Sequence, residues 1–198
     1  MTTYTIQRYP AELIEVARLP DGRPVTLRPV LPQDGDLVEQ FFRELSPEAR
    51  RNRFLGSLQE VPTSLLDRLM RVDYSSHLAL LAEVFSDGAE VMIGEARYVL
   101  DADRRSAEFA IAVADGWQGQ GIGRRLLTQV SCRAAADGIE RLHGHTLSTN
   151  RPMLRLARAM GFAVRSDPDS AVAVWLEKAL AREAYEPCRA RVRALAAA

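Results

Sequence analysis

The folds open to this chain are limited most by a glycine-rich stretch at residues 115–125, which reads DGWQGQGIGRR. It follows a segment with a strand-like alternation and precedes an amphipathic segment, so it joins a predicted strand to a predicted helix. Glycines let the backbone approach a ligand closely, and the start of a helix presents unpaired N–H groups with a partial positive charge. Arg124 and Arg125 add formal charge. The stretch therefore predicts a binding site for a phosphate or pyrophosphate group.

Two familiar phosphate-binding loops do not fit the spacing. A P-loop needs Lys and then Ser or Thr after its second glycine, whereas Ile122 and Gly123 follow Gly121. A dinucleotide-binding G-x-G-x-x-G fingerprint needs a final glycine, whereas that position is Arg124 or Leu126 in the two frames that the glycines allow. We therefore exclude both kinds of loop.

Hydrophobic periodicity predicts an α/β fold. Predicted strands cover residues 25–28, 78–84, 91–99, 107–113, 142–147 and 171–176, and predicted helices cover residues 34–45, 63–70, 121–137 and 151–160. The short polar links between the second, third and fourth strands imply an antiparallel meander. The strand, helix and strand that follow imply a right-handed parallel crossover. Pro47 is expected to end the first helix, and Ser64 with Asp67 has the spacing of a capping box for the second.

Composition excludes several classes of protein. Lys plus Arg and Asp plus Glu each number 26, so the whole-chain balance gives no concentrated positive field for nucleic acid. The 2 cysteines are too few for a disulfide framework or a four-thiolate zinc site. No segment approaches the roughly 18 uninterrupted apolar residues of a membrane span, and the first residues lack the pattern of a secretory signal. We predict a cytoplasmic protein with no membrane or nucleic-acid partner, and the sequence allows a homodimer without predicting one.

The run Gln118–Gly123, QGQGIG, fits the pattern Q-x-x-G-x-G. It resembles the pyrophosphate loop of the GNAT family of N-acetyltransferases, and the order of predicted elements over residues 25–177 is also similar to that family; a glycine-rich turn is the alternative interpretation. The resemblance implies a mixed, mostly antiparallel central sheet flanked by helices, with a splayed cleft for acetyl-CoA. It leaves residues 1–24 as an N-terminal arm and residues 178–198 as a helical tail. The residues that would contact acetyl-CoA are Ile111, Ala112, Val113, Gln118, Gly119, Gln120, Gly121, Ile122, Gly123, Arg124 and Asn150.

Glu108 is the candidate general base. Along the predicted strand 107–113 the odd positions are all apolar, whereas Glu108, Ala110 and Ala112 occupy the opposite face. A carboxylate followed by two small side chains leaves room for a slender ligand beside it. The resemblance implies that this strand lies along the pantetheine arm and that Glu108 removes a proton from an attacking primary amine. A solvated Glu on an exposed sheet face is the alternative interpretation.

Asn150 precedes a predicted helix that has Pro152 in its first turn, which is typical of an N-cap. The resemblance implies that Asn150 also contacts the CoA arm. Many family members carry a Tyr seven residues later, as a general acid for the departing thiolate, but this chain has Ala157 there. The thiolate then leaves unassisted or takes its proton from water, or another residue supplies the proton, for which Tyr98 and Tyr74 are the candidates.

The segment Leu45–Phe54, LSPEARRNRF, bears on the acceptor. It resembles a segment of bacterial protein-lysine acetyltransferases, with Arg51 and Leu55 at positions where aromatic residues are expected. The resemblance slightly favours a protein lysine over a small-molecule amine as acceptor. The alternative interpretation is a helix end at Pro47 followed by a basic loop.

Histidines give little support for a metal site. His143 and His145 are two residues apart on a predicted strand and therefore share a face, but a metal needs a third ligand, and His77 cannot be placed beside them. We therefore predict an N-acetyltransferase with acetyl-CoA as co-substrate and no metal. A non-catalytic acyl-CoA-binding sensor or scaffold is the alternative function, and transfer of a longer acyl chain is a third.

Overall fold

The fold is built on one eight-stranded sheet. The computed structural model describes residues 9–180 apart from Ser57, Gln59, Asp87 and Asp169. The strands are β1 (Glu15–Arg18), β2 (Pro24–Pro29), β3 (His77–Ser86), β4 (Ala89–Leu100), β5 (Ser106–Val113), β6 (Arg141–Leu147), β7 (Ala163–Ser166) and β8 (Ala173–Ala179). Their order in the sheet is β1-β2-β3-β4-β5-β6-β8-β7. Every neighbouring pair is antiparallel except β5 and β6, which confirms the predicted meander and the predicted parallel crossover.

Five α-helices cover the sheet. They are α1 (Gly35–Glu44), α2 (Pro47–Phe54), α3 (Thr63–Met70), α4 (Ile122–Ala136) and α5 (Arg151–Ala159). None of the helices within the described part of the chain is both long enough and apolar enough to cross a membrane. This mixed α/β architecture confirms the predicted fold class.

The first predicted helix ends before Pro47, as expected, since α1 stops at Glu44. The residues that follow are not a basic loop, because Pro47 begins α2: the Ser46 side chain accepts a hydrogen bond from Ala49 N (3.1 Å), and proline suits the first helical position. The prediction of a Ser64 capping box is wrong, since α3 begins at Thr63, after Pro62, with no side-chain cap.

The ends of the described chain extend the sheet. Residues 15–18, within the predicted arm, form β1 and pair with β2 at the sheet edge. Strand β7 was not predicted, because its four residues, AVRS, contain no buried position and so carry no periodic signal. Strand β8 continues to Ala179, two residues into the predicted tail. Residues 1–8 and 181–198, where the rest of the arm and the tail were predicted, lie outside the described residues.

Apolar side chains pack on both faces of the sheet. On one face Leu126, Leu127 and Val130 of α4 are fully buried in a core that includes Phe109 of β5. On the other face α1, α2 and α3 cover a second core, against which Ala112 of β5 packs. Successive residues of β5 thus serve opposite cores, as the alternating sequence predicts.

An ion cluster is buried beneath α2. The Glu95 carboxylate, on β4, is fully buried and accepts hydrogen bonds from Arg53 Nε (2.9 Å) and Nη2 (2.8 Å). Its other oxygen accepts from Arg97 Nε (3.1 Å) and Nη2. Arg97 Nη1 also donates to the Leu69 carbonyl at the end of α3 (2.7 Å). Burial alone would raise the pKa of Glu95, but the Arg97 and Arg53 guanidinium groups hold this pKa below its usual range. The cluster ties α2 and α3 to β4.

We expect Glu95→Gln to reduce the free energy of unfolding by about 3–5 kcal/mol, because it leaves two buried guanidinium groups without their shared counter-charge. Urea denaturation followed by circular dichroism measures this loss. Glu90→Gln, at an exposed position of the same strand, is the matched control and should change stability by less than about 0.5 kcal/mol. Equal stability of the two variants would contradict the assigned role of the cluster.

Candidate active site

The sheet opens at the single parallel pair. Strands β5 and β6 pair at Ser106–Arg141, Ala107–Leu142 and Glu108–His143, and the pairing ends there. Beyond this point Phe109–Val113 and the end of β6 separate. Gly144 lies at the point of separation, where an added Cβ would come within 2.8 Å of the Phe109 carbonyl oxygen. The missing side chain therefore lets the two strands stay close up to the point where they separate. We call this point, residues 108–109 and 143–144, the fork.

The fork opens into a cleft of about 460 Å³. Its walls come from α2, from the separated part of β5, from the glycine-rich loop, from β6 and from the first turns of α5. Nine residues predicted to bind acetyl-CoA line it: Ile111, Ala112, Val113, Gln118, Gly119, Gly121, Gly123, Arg124 and Asn150. Three other predicted residues, Glu108, Gln120 and Ile122, are not among its lining residues. Ile122 is buried in the core, and Gln120 lines a second cavity beside β1.

The glycine-rich loop presents backbone groups rather than side chains to the cleft. Gly119 and Gly121 have φ of 77° and 85°, which glycine adopts readily, and α4 begins directly after Gly121 with no side-chain cap. The first N–H groups of a helix have no intrahelical acceptor. Gln118 and Gln120 instead brace the loop, because their side-chain amides donate to the Val113 and Gly116 carbonyls (3.1 and 3.2 Å).

Asp115 joins this loop to α2. Its carboxylate accepts hydrogen bonds from Ser46 N (3.1 Å) and Ser46 Oγ (2.8 Å), and Ser46 is also the N-cap of α2. One aspartate thus fixes the start of the loop against the start of the helix on the opposite wall. Sequence reasoning missed this link, since the two residues are 69 positions apart.

Glu108 lies at the fork, on the last paired residue of β5. Its side chain is 56% exposed, and its Oε1 atom is 3.7 Å from His145 Nδ1. His145 lines the cleft, and its Nε2 atom is 3.3 Å from Asp167 Oδ2. The ring also meets the Trp175 ring edge to face at 4.8 Å. Glu108, His145 and Asp167 therefore form a row at the fork, which we call the fork triad.

His143 occupies the same strand face, as predicted. Its ring stacks on Trp175 at 4.6 Å, and its Nε2 atom is 2.7 Å from Asp101 Oδ2. His77 lies elsewhere, with Nε2 3.2 Å from Arg97 Nη1. No group of three His, Cys, Asp or Glu side chains among residues 9–180, the four gaps aside, has an arrangement that would hold a metal ion.

Asn150 caps α5, as predicted. Its Oδ1 atom accepts a hydrogen bond from Met153 N (3.1 Å), and its Nδ2 atom donates to Thr146 Oγ1 (3.1 Å). Ala157, on the same helix, is fully buried and does not line the cleft.

Neither tyrosine that the sequence offered as a proton donor lies in the cleft. The Tyr98 hydroxyl donates to Asp137 Oδ2 (2.8 Å), and the Tyr74 hydroxyl donates to the Val30 carbonyl (2.8 Å). Burial raises the pKa of both phenols. The cleft-lining part of the described chain contains no tyrosine.

Comparison with known sequences identifies the family. The profile of the Acetyltransferase (GNAT) family matches residues 39–162. An acetyltransferase of Pseudomonas aeruginosa is 35% identical over 159 residues, which are 80% of this chain and 86% of that protein. Acetyltransferase Pat of Mycolicibacterium smegmatis is 33% identical over 144 residues, which are 71% of this chain and 42% of that protein. The chain therefore spans less than half of that second relative.

Solved structures show the same fold. The GNAT domain of S. lividans PAT superposes with a TM-score of 0.78 at 25% identity, covering 87% of this chain and 100% of that one. The acetyltransferase yncA of Salmonella typhimurium, described with its cofactor acetyl-CoA, gives a TM-score of 0.63 at 18% identity, covering 79% of this chain and 94% of that one. With its glycine loop at the start of α4, its forked sheet and these matches, the chain belongs to the GNAT family and is an acetyltransferase.

Proposed function

We propose that this protein transfers an acetyl group from acetyl-CoA to a primary amine by direct attack, with Glu108 as the general base. The observation that carries the proposal is the fork, because pairing between β5 and β6 ends at Glu108, and Phe109, the next residue of β5, lines the cleft. Membership of an acetyltransferase family supports it, as does the acetyl-CoA described with the Salmonella protein.

The described residues fit acetyl-CoA in two places. The backbone N–H groups of Gly119–Arg124 and the Arg124 guanidinium suit a pyrophosphate, since the N-terminal end of α4 carries a partial positive charge. The separated edge of β5 at Ile111–Val113 has lost its β6 partner and offers backbone groups to an amide-containing arm. An N–H of this edge is our candidate for stabilising the charge that develops on the thioester oxygen.

We expect Gly121→Val to weaken acetyl-CoA binding at least about tenfold, since a β-branched residue at φ 85° costs about 1–3 kcal/mol and shifts the start of α4. Titration calorimetry measures the Kd, and circular dichroism checks the fold. Gly116→Val is the matched control, because an added Cβ there meets no atom within 4 Å and its φ is not positive. Unaltered affinity in Gly121→Val would remove the pyrophosphate from this loop.

We expect Glu108→Gln to lower turnover by about 10²–10⁴-fold, the usual effect of losing a general base. The amide has the size of the carboxylate but cannot accept the proton, so the Kd for acetyl-CoA should not change. Release of the CoA thiol at saturating acetyl-CoA measures the rate, with Glu90→Gln as control. An unchanged rate would exclude Glu108 as the base.

The acceptor is, in our proposal, a protein lysine rather than a small-molecule amine. Helix α2, which belongs to the segment Leu45–Phe54, lines the cleft with Glu48 and Asn52. A carboxylate at the mouth of the cleft attracts an ammonium group. A small-molecule amine would react by the same chemistry and would contact only part of the cleft wall that α2 forms.

Thiol release with a lysine-bearing protein such as casein, with N-α-acetyl-lysine amide and with spermidine compares the two acceptor classes. We expect casein to give the highest kcat/KM. Glu48→Gln should raise the KM for casein several-fold without changing the KM for acetyl-CoA, whereas Arg51→Ala, at an exposed position of α2 outside the cleft lining, should change neither. A higher kcat/KM with spermidine would favour the small-molecule class.

A further inference from the structure

His145 stands apart from the other ionisable side chains of the cleft. The described residues that line the cleft carry six ionisable side chains: Glu48, Arg53, Asp115, Arg124, His145 and Arg155. A neutral imidazole has an N–H donor on one nitrogen and a lone pair on the other, whereas a carboxylate only accepts hydrogen bonds and a guanidinium only donates them. Among those six, His145 is therefore the side chain that can receive a proton at one atom while it is held by a partner at the other.

The neighbours of His145 define its proton-bearing atoms. Nε2 is 3.3 Å from Asp167 Oδ2, and the Asp167 side chain is only 11% exposed. A neutral imidazole that points its Nε2–H at Asp167 leaves a lone pair on Nδ1. That lone pair faces Glu108 Oε1 at 3.7 Å, while Trp175 holds the ring from β8. A protonated ring in this place has a carboxylate opposite each nitrogen.

The reaction needs more than one proton acceptor. An ammonium group that becomes an amide loses two protons from nitrogen, whereas the departing sulfur takes only one. A single carboxylate holds one proton at a time. The cleft also lacks the tyrosine that many family members place seven residues after the helix-capping Asn, because this chain has the buried Ala157 there.

We propose that the fork triad works as a proton relay, in which His145 takes the first amine proton from Glu108 and Asp167 fixes the ring in the receiving tautomer. This inference rests on the proposed function, in which Glu108 is the base. The ammonium gives its first proton to Glu108, which passes it to His145 Nδ1 and becomes a carboxylate again.

The remaining steps balance. The amine lone pair forms the N–C bond to the thioester carbon, and Glu108 accepts the second nitrogen proton. The C–S bond breaks with its electron pair on sulfur, and the thiolate takes that second proton from Glu108. His145 then releases the first proton to water, so one proton leaves per acetyl group transferred. Asp167 acts through His145 and is a positioning residue.

The groups around His145 come from several elements of the fold. Glu108 faces it from β5, Asp167 from the segment after β7, and the neutral Trp175 from β8. The other charged side chains of the cleft are Glu48 and Arg53 on α2, Asp115 and Arg124 beside the glycine loop, and Arg155 on α5. Removal of either facing carboxylate leaves the protonated ring with one carboxylate beside it instead of two.

A test without substrate uses long-range ¹H–¹⁵N correlation NMR of the histidine rings across pH. We expect neutral His145 to carry its proton on Nε2. This preference should weaken in Asp167→Asn, since the variant lacks the carboxylate that faces Nε2. His143 is the internal control: it stacks on the same Trp175, but its Nε2 atom is 2.7 Å from Asp101 Oδ2, so Asp167→Asn should leave its tautomer unchanged. A His145 proton fixed on Nδ1, or a tautomer preference that Asp167→Asn does not change, would overturn the relay.

A kinetic test uses acetyl-CoA with N-α-acetyl-lysine amide. We expect His145→Gln to lower kcat by about 10- to 100-fold, less than Glu108→Gln, with an unchanged KM for acetyl-CoA. Asp167→Asn keeps the ring but removes the carboxylate that fixes its tautomer, so it should lower kcat several-fold with an unchanged KM for acetyl-CoA. Glu90→Gln, at an exposed position of β4, should change neither constant.

The outcomes separate the relay from the general base. A wild-type rate and pH profile in His145→Gln, with Glu108→Gln inactive, would overturn the relay and leave the proposed function standing. A wild-type rate in Glu108→Gln would overturn the proposed base itself. If His145→Gln does not fold, Asp167→Asn alone decides, and an unchanged kcat in that variant would overturn the relay.

Discussion

The site depends on one parallel strand pair that ends early. Three residue pairs join β5 to β6, and after Glu108–His143 the strands separate. A parallel ladder continued to Val113 would consume the backbone groups of β5 and leave no cleft. The crossover through α4 makes the pair parallel, and the same crossover places the glycine loop where β5 ends. The parallel pair and the position of the glycine loop beside the cleft are thus consequences of a single connection.

Helix α2 forms the opposite wall of the cleft, although its own sequence, PEARRNRF, has little apolar surface to hold it there. Polar contacts hold it at both ends. Ser46 at its start is bound to Asp115, and Arg53 near its end is bound to the buried Glu95. Breaking a buried ion pair leaves an uncompensated charge, so displacing Arg53 from Glu95 would cost about 3–5 kcal/mol. The width of the cleft between α2 and the glycine loop therefore depends on these contacts.

The sequence is informative where burial is periodic. The alternation of β5 and the apolar stripe of α4 predict both elements. The alternation also predicts the face of β5 on which Glu108 lies. The sequence gives no signal where residues are not periodically buried. Strand β7 has no buried residue, and α2 is held by contacts between residues far apart in the chain, such as Arg53 and Glu95. The fork triad was missed for the same reason. Asp167 follows the unpredicted β7, so nothing in the sequence places its carboxylate beside His145.

Charges of opposite sign lie at the glycine loop and at the fork, although the whole chain is balanced with 26 basic and 26 acidic residues. Arg124 and the start of α4 favour anions, whereas Glu108 and Asp167, which lie beside the cleft-lining His145, favour a cation. A thioester that carries a nucleotide and an acceptor that carries an ammonium group are therefore attracted to different regions of the site. Their reacting groups meet at the fork. The overall composition does not show this local separation of charge. The separation orients both substrates before their reacting atoms come into contact.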